Sequence, residues 1–550
     1  MLLYQQKIIQ NIMNTKAIFI KTLFVVLSML IFSCSTENIE VKPNILFLFA
    51  DDWGRYAGIY NHFDTEPGPN SVIQTPNIDN LAEQGIIFTN SYVPAPSCTP
   101  CRSSILSGQY FYRTGMGAIL QMAEWDNTIP SYPQILKKNG YHIGFTYKVW
   151  SPGTPRDIQH GGDSARYENA GRSFNRFSQE VSEAEDPEKR KEELLKEVMD
   201  NFSDFLEERK EGQPFCYWFG PTNTHRAWTR GSGNGIWGIN PDDLTGKMPD
   251  FLPDVHEVRE DFTDYLGECQ AWDASVGVII DLLKETGEMN NTIIVVSGDH
   301  GIPGFPRAKT NLYDLGTEVA LLIIWPEKIK KQRIVDDFVN LMDLAPTFLE
   351  VAGAEIPGVM TGKSLMPIVL SEKEGIVDSS RRWVLTGRER HVATAREGNL
   401  PYPQRALRTV KYLYIRNFKP ERWPIGTVEK GIRDIDNGPT KTYYLRNYGK
   451  QDFSGYWDLA FGKRPYEELY DIQNDPDEMI NLAGRPDYED VLNELSELMD
   501  SVLIATEDPR MNRDSCVFDM LPYISVDEQL LQVQKSHEEE TEKIINRNNK

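Results

Sequence analysis

The run Asn44-Ile45-Leu46-Phe47-Leu48-Phe49-Ala50 is apolar without interruption and stops at Asp51-Asp52. A continuous apolar stretch of strand length is the pattern of a strand covered on both faces. Two carboxylates at its end are costly unless a cation offsets them, which a hard divalent metal does well; a solvated pair of turn aspartates is the plainer alternative. The pattern then returns. Tyr141 to Tyr147 ends at Lys148, Pro214 to Phe219 leads through a Gly-Pro turn to His225, and Thr292 to Ser297 ends in Gly298-Asp299-His300-Gly301. Helical stretches at Glu185 to Lys210 and Glu257 to Thr286 lie between them. Such alternation predicts an α/β fold, a large mostly parallel sheet sandwiched by helices. Ligands of such sheets bind beyond the carboxyl ends of the strands, where Asp51, Asp52, Lys148, His225, Asp299 and His300 fall. Each alone has a dull reading as a strand end, loop cap or turn residue; together they mark a site.

A loop rich in glycine and proline, Gly304 to Gly316, carries Arg307, Lys309 and Asp314 and precedes another apolar run, Val319 to Trp325. From about Glu372 the pattern changes. Trp383 to Leu385, Leu407 to Arg416 and Tyr466 to Tyr470 read as shorter strands of an antiparallel sheet, and Tyr488 to Thr506 as its covering helix. The expected organisation is therefore a main unit over 43–371, a smaller C-terminal α+β subdomain of antiparallel sheet and helix over 372–525, and a polar tail over 526–550 whose charged end, Lys535 to Lys550, reads as a frayed helix or tail.

At the N-terminus, Lys16 and Lys21 precede the apolar run Leu23 to Phe32, a secretory layout too short to span a membrane. Residues 1–33 are read as a signal peptide, and Cys34 after Ile31-Phe32-Ser33 resembles a bacterial lipoprotein box. Acylation there would make the protein an exported lipoprotein of the periplasm or outer membrane, held to the membrane by its lipid. The other cysteines, Cys98, Cys101, Cys216, Cys269 and Cys516, are an odd set and do not read as a disulfide framework. The chain carries a formal charge of −23, and loss of a leader holding Lys7, Lys16 and Lys21 leaves it more negative still. That surface excludes nucleic acid as a partner, so an anionic ligand needs a local basic pocket.

Cys98-Thr99-Pro100-Cys101-Arg102-Ser103-Ser104-Ile105-Leu106-Ser107-Gly108 is open to three readings. It is a redox pair at a helix mouth, an anion-holding helix start with Arg102 one turn on, or a buried thiol beside a helix.

Cys98-x-Pro100-x-Arg102 with Ile105-Leu106-Ser107-Gly108, preceded by Asp51-Asp52 and followed by Asp299-His300-Gly301 and Lys309, resembles the type I sulfatases of the alkaline-phosphatase superfamily. Thr224-His225-Arg226, Gly301-Ile302-Pro303, Thr310 to Tyr313, Tyr402 to Arg405 and Asn417-Phe418 bring it nearest to the sulfamidases, the heparan N-sulfatases of that family. The resemblance implies the alkaline-phosphatase-like fold. It also implies that Cys98 is oxidised by a formylglycine-generating enzyme or an anaerobic maturase to formylglycine (3-oxoalanine), whose hydrate is the nucleophile. Asp51, Asp52, Asp299, His300 and the modified Cys98 would ligate calcium, with magnesium or manganese as substitutes. Arg102 would hold the hydrate, Lys148 and Lys309 the sulfate oxygens, and His225 would protonate the leaving atom. His391 and Arg405 are the candidates for substrate recognition, with subdomain packing as their alternative.

Four positions depart from the family, and His300, which stands where asparagine is common, is the less comfortable ligand for a hard ion. Cys101 stands where serine, alanine or glycine is usual, which keeps a Cys98–Cys101 disulfide conceivable in unmodified protein. Trp150 replaces a histidine that assists sulfate release, with His160 as a weak substitute, and Asn223 stands where the sulfamidases have aspartate. The implied activity is removal of sulfate from a sulfated oligosaccharide, N- or O-sulfated glucosamine of heparin or heparan sulfate. The rivals are a phosphodiesterase or phosphonate hydrolase of the same superfamily and a catalytically silent glycan-binding lipoprotein.

Overall fold

The computed structural model describes residues 1–31 (backbone only from residue 22), 42–64, 66–511 and 516–547. Residues 1–42 and 43–550 are separate units. The first contains a helix, Leu2–Ile31, and Cys34 with its expected lipidation lies outside the described residues. Among those residues no helix is long and apolar enough to cross a membrane.

In the second unit the first strand sets the architecture. Every residue of β1 (Asn44–Ala50) is buried, and successive side chains go to opposite faces of the sheet. Leu46 and Leu48 join a core with Phe202 and Phe205 of the helix Pro187–Glu208 and Phe262, Leu266 and Trp272 of the helix His256–Glu285. Ile45, Phe47 and Phe49 join an opposite core with Ile105 and Leu106 of the helix Cys98–Ser107 and Phe348 of the helix Leu344–Val351. An apolar residue so buried contributes on the order of 2 kcal/mol, which is why an unbroken apolar strand is tolerated only in the middle of a sandwich.

The sheet adds β2 (Ile86–Phe88), β4 (His142–Tyr147), β5 (Phe215–Gly220), β6 (Thr292–Gly298), β7 (Leu321–Ile324) and β8 (Arg333–Val335), in the order β4-β5-β1-β6-β7-β2-β8. The strands β4, β5, β1 and β6 are parallel neighbours, and β7 runs against both β6 and β2. The sheet is therefore mostly parallel with helices on both faces. Two very short strands, β3 (Ser91–Tyr92) and β9 (Val339–Asn340), pair apart from it.

A second, antiparallel sheet has the order β10 (Trp383–Arg388), β11 (Gln404–Thr409), β12 (Tyr412–Asn417) and β13 (Glu467–Asp471). The stretch Leu407 to Arg416 is thus no single strand but a hairpin that turns at Val410-Lys411. Leu407, Tyr414 and Leu469 pack with Met499 and Leu503 of the helix Glu489–Ala505 and with Tyr110 to Tyr112. Ala406, Leu413 and Ile415 pack on Leu312 and Tyr313, which follow Lys309 in the chain. The stretch expected to be a polar tail forms a helix, Glu528–Arg547. It buries Gln534 and Thr541 and sets Ile544 and Ile545 against a core that includes Ile432 and Tyr444.

Candidate active site

Parallel register brings the ends of four strands to one place. Ala50 lies beside Gly298 and Tyr147 beside Gly220, so Asp51-Asp52, Lys148, Pro221 to His225 and Asp299-His300 leave the same edge of the sheet. The crossing is tight: a Cβ on Gly298 would stand 2.0 Å from the Trp53 carbonyl oxygen and one on Gly220 2.0 Å from that of Lys148. Asp52 takes a positive φ of 55°, and its backbone N–H donates to Asp299 Oδ1 at 2.7 Å.

Cys98 opens the helix that points at these ends, and the helix is buried along its whole length. The Cys98 Sγ lies 3.3 Å from His300 Nε2 and 3.9 Å from Asp52 Oδ1. Burial, and then the Asp51 carboxylate, push its thiol far up, so an unmodified Cys98 is a protonated thiol at neutral pH and a poor nucleophile. Cys101 faces the apolar core among Ile105 and Leu106, and its thiol is likewise raised, first by burial. Both cysteines are free. Ser97, which precedes the helix, spends its hydroxyl on His391 Nδ1 at 2.8 Å.

A buried charge lattice surrounds the thiol. Arg102 donates from Nε to Asp299 Oδ2 at 2.8 Å and from Nη2 to Asp51 Oδ1 at 3.0 Å, and from Nη1 to the carbonyls of Lys148 and Val149. Its guanidinium therefore spaces two carboxylates, and every polar contact it makes among the described residues is with these partners. Lys148 Nζ meets both oxygens of Asp51, at 2.7 and 2.8 Å. Burial alone would raise the Asp51 carboxyl, yet Lys148 and then Arg102 hold it well below the carboxylate range. Lys309 Nζ lies 2.8 Å from Asp52 Oδ2 and 3.2 Å from Asp436 Oδ2. Against burial, Asp436 and then Asp52 hold that ammonium charged.

Asp52, Cys98, Asp299 and His300 each offer one ligand atom, all within 4.8 Å of one another and all buried. The family pattern implies a metal here, and the donor set fits one: two carboxylates, an imidazole, and a sulfur standing where an oxygen of formylglycine would be, a set suited to a hard cation. His300 Nδ1 is turned to the Gly301 carbonyl at 3.1 Å, leaving Nε2 for the site. Asp51 falls in a neighbouring group with Asp52 and His225. His225 Nε2 is 3.8 Å from Asp52 Oδ2, while its Nδ1 lies 2.6 Å from the Arg226 carbonyl oxygen. Its ring is partly exposed at the mouth of the site.

Cys98, Lys148, His225, Lys309 and His391 line one cleft of about 790 Å3. Arg405 does not reach it. Wholly buried, Arg405 donates to Asp508 at 2.6 Å and Glu389 at 3.0 Å, so the substrate-recognition reading gives way to its packing alternative. His160 also fails as a substitute proton acceptor. It lies in the core against Phe145 and Trp218, and burial drops it to about 4. Trp150 is packed on Trp125 and donates to Ser103 Oγ at 2.8 Å. Asn223 is turned to Glu268, donating to its carbonyl at 2.8 Å and to Oε2 at 3.1 Å. Sequence reasoning missed Asp436, Arg433, Lys441 and His537, which also line the cleft. Asp434 was missed too; it binds Arg388 and Arg396 behind His391. They lie outside any motif, Arg433, Asp434 and Asp436 on a loop, Lys441 on the helix Pro439–Arg446 and His537 on the C-terminal helix, none with an apolar strand pattern.

Residues 43–354 match the family model described as Sulfatase. Human N-sulphoglucosamine sulphohydrolase is 28% identical over 505 residues, covering 85% of this chain and 91% of that protein. An ulvan-active sulfatase of Formosa agariphila is 27% identical over 502 residues, covering 86% and 82%. A structure solved in complex with its substrate D-glucosamine-2-N,6-O-disulfate superposes with a TM-score of 0.59 at 19% identity, covering 86% of this chain and 100% of that one.

Proposed function

The chain belongs to the sulfatase family, and from that premise we propose that it removes sulfate from N- or O-sulfated glucosamine of a heparin-like glycan, through formylglycine made from Cys98. It is a sulfate ester or sulfamate hydrolase. The glucosamine reading draws on the human relative, whose name states that substrate.

One observation carries the assignment. Three buried carboxylates, Asp51, Asp52 and Asp299, are balanced by three buried cations, Arg102, Lys148 and Lys309. A bound divalent cation, calcium by the hardness of the donors, would polarise a sulfate oxygen and acidify the hydroxyl at position 98. With the Asp436 carboxylate beside Lys309 counted as well, its charge would put the site one unit positive, the condition that favours a sulfate group. Lys148 and Lys309 then turn their N–H donors to the sulfate oxygens and stabilise the charge that grows there. Arg102 keeps Asp51 and Asp299 apart and aimed. His225 gives a proton from Nε2 to the departing oxygen or nitrogen, and His391 steadies the start of the Cys98 helix through Ser97. Export, with the lipid on Cys34, and a maturase that oxidises Cys98 complete the proposal.

Mass spectrometry of the peptide spanning residues 91–112 tests the modification, and digestion of heparin disaccharides with N-, 2-O-, 3-O- or 6-O-sulfate tests the substrate. The expected result is an aldehyde at position 98 and sulfate released from one defined position. An aldehyde-bearing protein that cleaves an aryl phosphodiester and no sulfate overturns the reading.

A further inference from the structure

The cleft does not end at the Cys98 side. Arg433, Asn437, Lys441 and His537 line its far wall, the last supplied by the C-terminal helix. Lys441 is only 3% exposed, and its ammonium donates to two neutral acceptors, the Ile435 carbonyl at 3.1 Å and Asn437 Oδ1 at 2.8 Å. Among the described residues no carboxylate oxygen lies within ion-pair distance, 4 Å, of Lys441 or Arg433; the Asp436 carboxylate between them in sequence is taken by Lys309 at 3.2 Å. Burial, with Arg433 adding to it, lowers Lys441 to about 7 despite Asp436. In a chain with 81 acidic against 58 basic residues, a nearly buried lysine with no carboxylate at contact and a partly exposed arginine line one cleft, and an anion entering it would favour the charged form of Lys441.

The hydrogen bonds orient the wall. Because Asn437 accepts from Lys441 through Oδ1, its Nδ2 is the atom that faces His537 Nδ1 at 3.2 Å. A neutral imidazole that accepts at Nδ1 carries its proton at Nε2, and that Nε2 has no partner among the described residues. The Arg433 fork is placed by one bond, from Nη1 to the Val533 carbonyl at 3.4 Å, leaving N–H groups over. The result is an ammonium, a guanidinium and an imidazole N–H on one wall.

We propose that Arg433 and Lys441, completed by Asn437 and His537, form a second anion-binding subsite that takes another charged group of the same saccharide, a second sulfate or a uronate carboxylate. The inference rests on the sulfated-saccharide reading above and sharpens it: the substrate is at least dianionic, one charge cleaved at Cys98 and the other held.

The test compares kcat/KM on N-sulfoglucosamine, on glucosamine N,6-disulfate and on a disaccharide joining N-sulfoglucosamine to uronate. The wild type should prefer one of the two dianionic substrates over the singly charged one, and which of them it prefers identifies the held group. Lys441→Met and Arg433→Gln should each cut that preference about tenfold, Lys441→Arg should keep most of it, and Lys535→Met on the outer face of the C-terminal helix should leave it unchanged. A wild type without preference, or both charge-removing variants retaining it, overturns the subsite. If the wild type releases sulfate from none of the three, the sulfatase reading of the substrate fails. The subsite is then judged by equilibrium binding of the same saccharides to Cys98→Ala protein with and without Lys441→Met, where equal affinities overturn it.

Discussion

Arg102 spaces Asp51 and Asp299, all three of them buried, and removing it leaves two buried carboxylates facing one another. Arg102→Met is expected to cost about 3–5 kcal/mol of stability, read as a lower denaturant midpoint, besides abolishing turnover. Cys98→Ala separates the two effects: it should lose all sulfate release while its midpoint stays near that of the wild type. Asp434 supplies a pH signature. Burial works against its charge, but Arg396 and then Arg388 hold it at about 2 instead of 3.8. A carboxyl depressed by folding stabilises above its unfolded pKa and stops doing so as pH falls through the folded one. The wild type should therefore lose about 2 kcal/mol more than Asp434→Asn between pH 4 and pH 2, measured by urea unfolding. At this scale the strand ends that meet at the cleft were legible, because a carboxylate, lysine or histidine that ends an apolar run announces a strand terminus. Arg405 was not: its partners Glu389 and Asp508 lie far away in the chain, and nothing local separates an arginine that binds substrate from one that locks two segments together.

At the scale of elements, apolar runs predicted β1, β4, β5 and β6 within a residue or so, since burial on both faces demands such sequences. The β11–β12 hairpin escaped because its turn, Val410-Lys411, has neither glycine nor proline to break the run. A frayed helix is one reading of the C-terminal end, but its docking escaped because it contributes few large apolar residues and docks through Gln534, which accepts from Thr394 Oγ1 at 2.8 Å and donates to the Lys430 carbonyl at 3.1 Å. Close approach makes its own prediction. Gly298→Ala forces a Cβ against the Trp53 carbonyl and should cost at least about 1–3 kcal/mol, seen as a lower melting temperature. Deleting residues 528–550 removes His537 from the cleft and should raise KM for a dianionic saccharide more than it lowers kcat.

Over the whole molecule, a formal charge of −23 surrounds a cleft whose far wall is cationic. The outer field repels long polyanions, whereas the wall acts only at contact. Salt screens the first much more than the second, since the Debye length shrinks from about 30 Å at 0.01 M to about 8 Å at 0.15 M. Cleavage of long sulfated chains relative to disaccharides should therefore rise over that range, as followed by sulfate release. The burial of the Cys98 helix has a further consequence, one of timing. An enzyme that oxidises this thiol, as proposed above, would reach it most readily while the chain is still open, before the sheet and its helices close round the segment. On that reading, how fast the chain folds would set how much of the protein becomes active.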